Sequence, residues 1–339
     1  MKSARNILMT LLPVLAMTVL ILDAKTALAG AQSGVELCIR VVIPSLFPFL
    51  FLSVIFTGIL MGRSIRLLRP LSRICRIPAG SESLLAVGLL GGYPVGAQSI
   101  AQAYRSGHLS KEDAHRMLGF CSNAGPSFIF GMLSAVFEPV ALWALWGIHM
   151  LSALLTGILL PGGSRKQIRV RPSPAVPASL ALERSLKVMA SICGWVIVFR
   201  VLLSFCQRWF LWMLPAEAGI VVSGLLELTN GCCRLELADG AGVRFLTASV
   251  LLGCGGICIG LQTISVTQGM GTGAYFPGKL LQGSISLVLA WAAQFLLFPA
   301  EDCCFLHPVI PALTISAALL SFSVKIPKKH SSNLARQGV

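Results

Sequence analysis

Acidic side chains are scarce in this chain: 13 Asp and Glu stand against 27 Lys and Arg in 339 residues, and all charged types together make up 12%. With 55% hydrophobic residues and a mean hydropathy of +0.80, so little charge excludes a soluble globule of this length. No long polar domain carries the formal net charge of +14. The basic residues fall in short loops between apolar runs, as the positive-inside bias of membrane proteins requires, so no nucleic-acid footprint is expected. There is no Gly-x-x-x-x-Gly-Lys-Ser/Thr loop for ATP-driven transport, and no serine, histidine and acid set that shares a pocket. Eleven cysteines are an odd count for a disulfide scaffold. Cys38, Cys121, Cys193, Cys206, Cys254 and Cys258 sit in apolar runs and read as small buried hydrophobes. The loop pairs Cys232-Cys233 and Cys303-Cys304 have no histidine at zinc spacing. No metal, cofactor or enzymatic activity is expected.

Two short segments, 164 residues apart, nearly repeat each other: Gly91-Gly92-Tyr93-Pro94-Val95-Gly96-Ala97-Gln98 and Gly255-Gly256-Ile257-Cys258-Ile259-Gly260-Leu261-Gln262. Each lies in an apolar stretch too rich in glycine for a plain membrane helix, and each ends on an uncharged amide. Paired glycine-broken segments in corresponding halves point to a transporter's midplane binding site, because unwound backbone there offers free N–H and C=O groups to a solute.

The charge cues predict an all-α polytopic membrane protein: about eight transmembrane helices and two glycine-broken re-entrant segments in two related halves, in contact with the lipid bilayer. Residues 1–34 read as a membrane anchor or signal-like segment, with a span at Ile7 to Leu22 and a cleavage-like Ala27-Leu28-Ala29. The first repeat, 35–162, holds a span at 35–60 bent by Pro44 and Pro48, the first re-entrant segment at 84–104, and spans at 120–137 and 140–160. Arg63, Arg66, Arg69, Arg73 and Arg76 place the loop between them on the cytoplasmic side. Ser110 with Asp113 forms a capping-box-like start for a surface helix that carries His108 and His115 on one solvated face. A basic, proline-rich linker covers 163–187. The second repeat, 188–324, holds spans at 188–205, 211–228, 280–298 and 308–324, with 245–268 as the second re-entrant segment. That segment is also long enough to cross. The basic tail, 325–339, and the N-terminus are expected on the cytoplasmic side.

Polar groups cluster near both breaks. Ser122, Asn123 and Gly125 begin the span after the first, and Glu227, Thr229 and Asn230 end the span before the second. Asn123, Asn230, Gln98 and Gln262 offer uncharged hydrogen bonds that select a solute without trapping it. Gly91, Gly92, Tyr93, Pro94, Gly96, Gly255 and Gly256 supply the unwound backbone, whose helix N-termini favour anions. The alternative is that these glycines and amides only let helices pack closely. Arg200 lies within a span, either as a fixed cation for a solute carboxylate or with its head reaching the interface. Glu227 can pair with a cation, carry a coupling proton, or be a solvated end group. His149, alone in a span, reads as a packing hydrogen bonder.

Five stretches in order are Cys38 through Phe49, Gly91 through Ala97, Phe120 through Phe128, Leu226 through Gly231, and Gly255 through Gln262. Together they resemble the YlbJ family of sporulation integral membrane proteins, within the nucleoside-recognition, or Gate-domain, membrane proteins. The resemblance implies a role in endospore formation, moving dipicolinic acid across the outer forespore membrane. It leaves two alternatives open: a non-transporting assembly component in contact with other sporulation membrane proteins or its own copies, and a nucleoside-type solute carrier.

Overall fold

The computed structural model describes residues 2–60, 63–163 and 176–298, and every regular element among them is helical. The span expected at 308–324, Cys303-Cys304 and the basic tail lie outside these residues, as does most of the proline-rich linker. Among the described residues, five helical stretches are long and apolar enough to cross a membrane: 24–60, 139–159, 178–209, 241–266 and 275–297.

Helix α1 (Lys2–Leu22) ends at Asp23, which caps α2 (Ala24–Leu37) by accepting the Thr26 N–H at 3.3 Å and pairs with Arg208 at 3.1 Å. Through a π-helical turn, Cys38–Val42, α2 runs on into α3 (Ile43–Leu60). The domain boundary expected between residues 34 and 35 therefore falls inside a continuous helix. Helix α2 seats Gly30 and Gly34, one turn apart, on a later helix that crosses antiparallel to it. A Cβ at Gly30 would lie 2.9 Å from Cα of Val201, and one at Gly34 2.9 Å from Cα of Ile197. Small residues at this spacing let membrane helices touch backbone to backbone. Gly34→Leu is therefore expected to prise the two helices apart, at a cost of about 1–3 kcal/mol. Thermal unfolding in detergent checks this, with Gly194→Ala, where a methyl meets nothing within 4 Å, as the silent control.

The arginine-rich segment is more than a charged loop. After α4 (Arg69–Ile74), the Arg76 guanidinium donates to the Leu160 carbonyl at 3.1 Å and to that of Ile158. Arg116, 4% exposed, donates to the carbonyls of Cys75 at 2.7 Å, Leu160 at 3.3 Å and Gly157. Two cations thus satisfy the last carbonyls of α8 (Pro139–Leu159), where the helix dipole favours positive charge. Between these lie α5 (Glu82–Leu90), α6 (Val95–Arg105) and α7 (Lys111–Leu118). The capping box forms as expected: Ser110 Oγ accepts the Asp113 N–H at 3.1 Å and donates to Oδ2 at 2.8 Å. His115, however, is not left to solvent; its Nε2 lies 2.7 Å from the Met270 carbonyl, and His108 precedes the helix.

Residues 120–137 are not the plain span expected. Residues 120–125 are irregular, followed by a π-helical turn, Ser127–Met132, and a 3-10 turn, Leu133–Ala135. Pro126 lacks an N–H, and the Asn123 side chain takes up nearby carbonyls, so the usual helical ladder does not close here. The second half contains α9 (Ala178–Trp209), α10 (Ala216–Leu226), α11 (Leu228–Cys232), α12 (Ala241–Cys254), α13 (Gly256–Val266) and α14 (Tyr275–Leu297). Helix α9 is the one on which α2 lies, and it begins inside the segment expected to be linker.

The two glycine-broken segments differ in kind. Helices α5 and α6 pack on each other as a hairpin, and at 1.5 Å per residue each covers only about half of a ~30 Å hydrocarbon core. Helices α12 and α13 do not fold back on each other: α12 packs on α14 and α8, and α13 on α10, α6 and α9. The re-entrant reading of 245–268 is replaced by a broken but onward-running helix. The second hairpin is instead α10–α11, in which a Cβ at Gly231 would run into the Gly224 Cα.

Candidate functional site

The same arrangement occurs twice. In the first half the tip of the α5–α6 hairpin, Gly91 to Pro94, lies against the irregular strand of chain after α7; a Cβ at Gly125 would be 3.0 Å from the Gly92 Cα. In the second half the tip of α10–α11 lies against the break between α12 and α13, where a Cβ at Gly256 would be 2.9 Å from the Gly224 carbonyl and 3.2 Å from that of Leu225. Gly92, Gly255 and Gly256 have φ of +75°, +75° and +79°, the left-handed region in which glycine alone is unstrained. The two breaks also touch: a Cβ on Gly255 would lie 2.9 Å from the Tyr93 hydroxyl.

Between these tips lies a cavity of about 370 Å³. Its polar wall comes from Gly91, Gly92 and Tyr93 at the first tip, Gly125 and Ser127, Glu227 and Thr229 at the second tip, and Gln262 on α13. Its apolar wall comes from Leu46, Phe49, Leu52 and Phe56 on α3, with Phe128, Ile192 and Val196. Ser53 ties α3 to the first tip by donating to the Gly91 carbonyl at 2.9 Å.

Of the residues expected at the site, Gly91, Gly92, Tyr93, Gly125, Glu227, Thr229 and Gln262 line this cavity. The others are placed around it. Pro94 leads into α6, and Gly96 is wedged between the Gly88 Cα and the Cys121 carbonyl. Gln98 is exposed on the far side of α6, so the two amides of the repeat do not meet. Gly255 lies beneath Tyr93 and Gly256 beneath the second tip, while Ser122, Asn123 and Asn230 are fully buried behind the wall.

Glu227 is 3% exposed, which sets aside the solvated end group. One carboxylate oxygen accepts the Thr229 N–H at 3.0 Å; the other accepts the Asn230 N–H at 2.8 Å and its side-chain amide at 2.9 Å. It caps α11, where the partial positive charge of the helix start suits a carboxylate. Arg200 donates to Asn230 Oδ1 at 2.6 Å and to Ser33 Oγ at 3.1 Å, locking α9 to α11 and α2. A chain of hydrogen bonds thus runs from Ser33 through Arg200 and Asn230 to the cavity wall at Glu227.

A second network escapes a reading of the sequence. Asn123 donates to the carbonyls of Gly88 at 3.0 Å and Phe120 at 2.7 Å, and its Oδ1 accepts from Lys279 Nζ at 3.2 Å and Gln282 Nε2 at 3.0 Å. Lys279 also donates to Gln282 Oε1 at 2.7 Å. His149 Nε2 accepts the Ala124 N–H at 3.1 Å, which places the proton of the neutral ring on Nδ1. Lys279 opens an apolar run and so reads as an interfacial flank; the only signal is Gln282 one turn on, on the same face. The apolar wall given by α3 also carries no distinguishing pattern, because that helix is apolar all round.

No protein-family profile matches the chain, and no solved structure matches it. Among curated proteins it is similar to the sporulation integral membrane protein YlbJ of Bacillus subtilis (strain 168), at 26% identity over 77% of each chain. All five stretches that carry the family resemblance contribute residues to the one cavity. This likeness along three quarters of both proteins, with five membrane-length helices among the described residues, supports placing the chain among the YlbJ-type integral membrane proteins.

Proposed function

We propose that this protein is a sporulation-associated membrane carrier that moves a small polar or anionic solute, with dipicolinic acid across the outer forespore membrane as the first candidate. The observation that carries this reading is the convergence of five sequence-distant stretches, including two hairpin tips, on one cavity beside the helix breaks. Close packing alone does not require a cavity at the point where the breaks meet. Its size falls within the roughly 300–1,000 Å³ usual for small-molecule sites. Phe49, Phe56, Tyr93 and Phe128 suit a flat ring, and Ser127, Thr229 and Gln262 suit its polar edge. The proposal is of transport and involves no covalent step.

A second reading is a neutral, nucleoside-type solute. It is favoured by Glu227, the single charged side chain among the lining residues. Uptake of dipicolinate and of uridine into proteoliposomes, with Gln262→Ala/Thr229→Val as the impaired variant, tests both. Saturable dipicolinate entry, cut at least about tenfold in the variant, is the expected result; a loss near 1.4 kcal/mol of binding would suffice. Entry of uridine instead selects the second reading. Entry of neither, from folded protein, leaves an assembly role, in which charge reversal of the exposed Arg63, Arg66, Arg69 and Arg73 becomes the damaging change.

A further inference from the structure

Behind the cavity wall, Lys279 on α14 is 3% exposed and has no carboxylate within ion-pair distance among the described residues. A charge taken out of water without a counter-ion is among the most unfavourable placements in a protein, and membrane proteins keep such groups chiefly on solute or ion pathways. Its ammonium carries three donors. Asn123 Oδ1 and Gln282 Oε1 take two of them, and the face of the Tyr93 ring, 5.5 Å away, lies over the nitrogen. Tyr93 is itself part of the cavity wall, so one aromatic ring separates the cavity from the cation.

The ring is held by packing and by the Lys279 contact, with no hydrogen bond. Its hydroxyl is buried without a hydrogen-bond partner, beside Gly255, whose missing side chain leaves room for it. Buried Ser122 Oγ and His149 Nδ1 are also without partners, the first on the residue before Asn123 and the second on the ring that accepts the Ala124 N–H. Unpaired buried polar groups gathered around an uncompensated cation are what a binding site for an anion requires and what a packing core avoids.

We propose that Lys279 is the anion anchor of the carrier: a carboxylate of the solute enters from the cavity, displaces the Tyr93 ring and pairs with the Lys279 ammonium, with Asn123 and Gln282 holding that ammonium in place. The inference rests on the transport reading and names its solute class, a carboxylate borne on a small ring. It also accounts for a cavity wall without a cation, because the cation stands one ring behind it. An ammonium–π contact is exchanged for a charge pair as the solute arrives, so the binding energy is released only when Tyr93 moves.

The test compares wild type, Lys279→Gln and Lys279→Arg in proteoliposomes, using dipicolinate and its uncharged diamide as solutes. Dipicolinate entry is expected to fall at least about tenfold in Lys279→Gln, while diamide entry persists and Lys279→Arg keeps part of the dipicolinate flux. Equal dipicolinate entry in Lys279→Gln and wild type overturns the proposal, as does equal loss of both solutes. If the wild type moves neither solute, the carrier reading fails, and thermal stabilisation of the detergent-purified proteins decides the anchor separately. Dipicolinate raising the melting temperature of wild type but not of Lys279→Gln upholds an anion site. Equal shifts, or none in either protein, overturn it.

Discussion

Replacing Gly96 by leucine is expected to leave little or no folded protein in the membrane. Gly96 lies where α6 crosses α5, and a Cβ there would run into the Cys121 carbonyl and lie 3.2 Å from the Gly88 Cα. These neighbours are backbone, which cannot turn aside as a flexible side chain does. The Cys121 carbonyl also blocks a Cβ on Gly88, at 2.5 Å, so the first hairpin closes around this one peptide. Overpacking of a tight core costs about 1–3 kcal/mol when side chains can adjust, and here they cannot, so the upper end or beyond is expected. Gly147→Ala on α8 is the matched control: a methyl there meets nothing within 4 Å, and alanine in a helix interior is favoured by about 0.5–1 kcal/mol over glycine. Accumulation of each variant in membranes, followed by size-exclusion profiles in mild detergent, reads the difference. Normal, monodisperse Gly96→Leu protein would show that α5 and α6 are not in contact.

Asn123→Leu is expected to have the next largest effect, about 3 kcal/mol, because a buried group left without its hydrogen-bonding partner costs about 1–3 kcal/mol and more when it is charged. The side chain is fully buried and makes four hydrogen bonds: two donated to carbonyls at the crossing of the first hairpin and two accepted from α14. Leucine would leave the Gly88 carbonyl short of its Asn123 partner and Lys279 short of one acceptor. Asn123→Asp keeps the acceptors and offers Lys279 a counter-charge while losing the two donated bonds, so it is expected to unfold at a temperature between wild type and Asn123→Leu. The order of the three melting temperatures is the check. Asn123→Asp falling below Asn123→Leu would mean that the donated bonds dominate and that α14 contributes little.

Much of this was written in the sequence, and the misses have physical causes. The glycine breaks at 91–96 and 255–260 are legible because no plain membrane helix tolerates such clusters, and both do interrupt helices. Their likeness nevertheless suggests the wrong partner: the counterpart of the α5–α6 hairpin is α10–α11, whose tip is built on Glu227 and carries no glycine pair. A carboxylate capping a helix start can end one helix and begin another as effectively as glycine, but it leaves no compositional mark. Arg76 reads as loop charge, and the reach of Arg116 leaves no mark, because nothing in a sequence shows which carbonyls lie near a guanidinium. Lys279 was missed for the related reason that a lysine at the head of an apolar run looks the same whether it faces the interface or the interior.

The cavity is not sealed on the side of α3. Phe49, Leu52 and Phe56 form its wall and are still 47%, 60% and 38% exposed, so the same residues face the cavity and the surrounding hydrocarbon. A detergent tail meets at this point a greasy slot of the right calibre, continuous with the micelle that surrounds the protein. Extraction therefore supplies a competitor in large excess over any added ligand, and an apparent dissociation constant measured in micelles will grow with free detergent. Lipid nanodiscs, or amphiphiles with bulky branched tails, should return a tighter value for the same protein, and the ratio between the two media reports how far the α3 opening admits a chain.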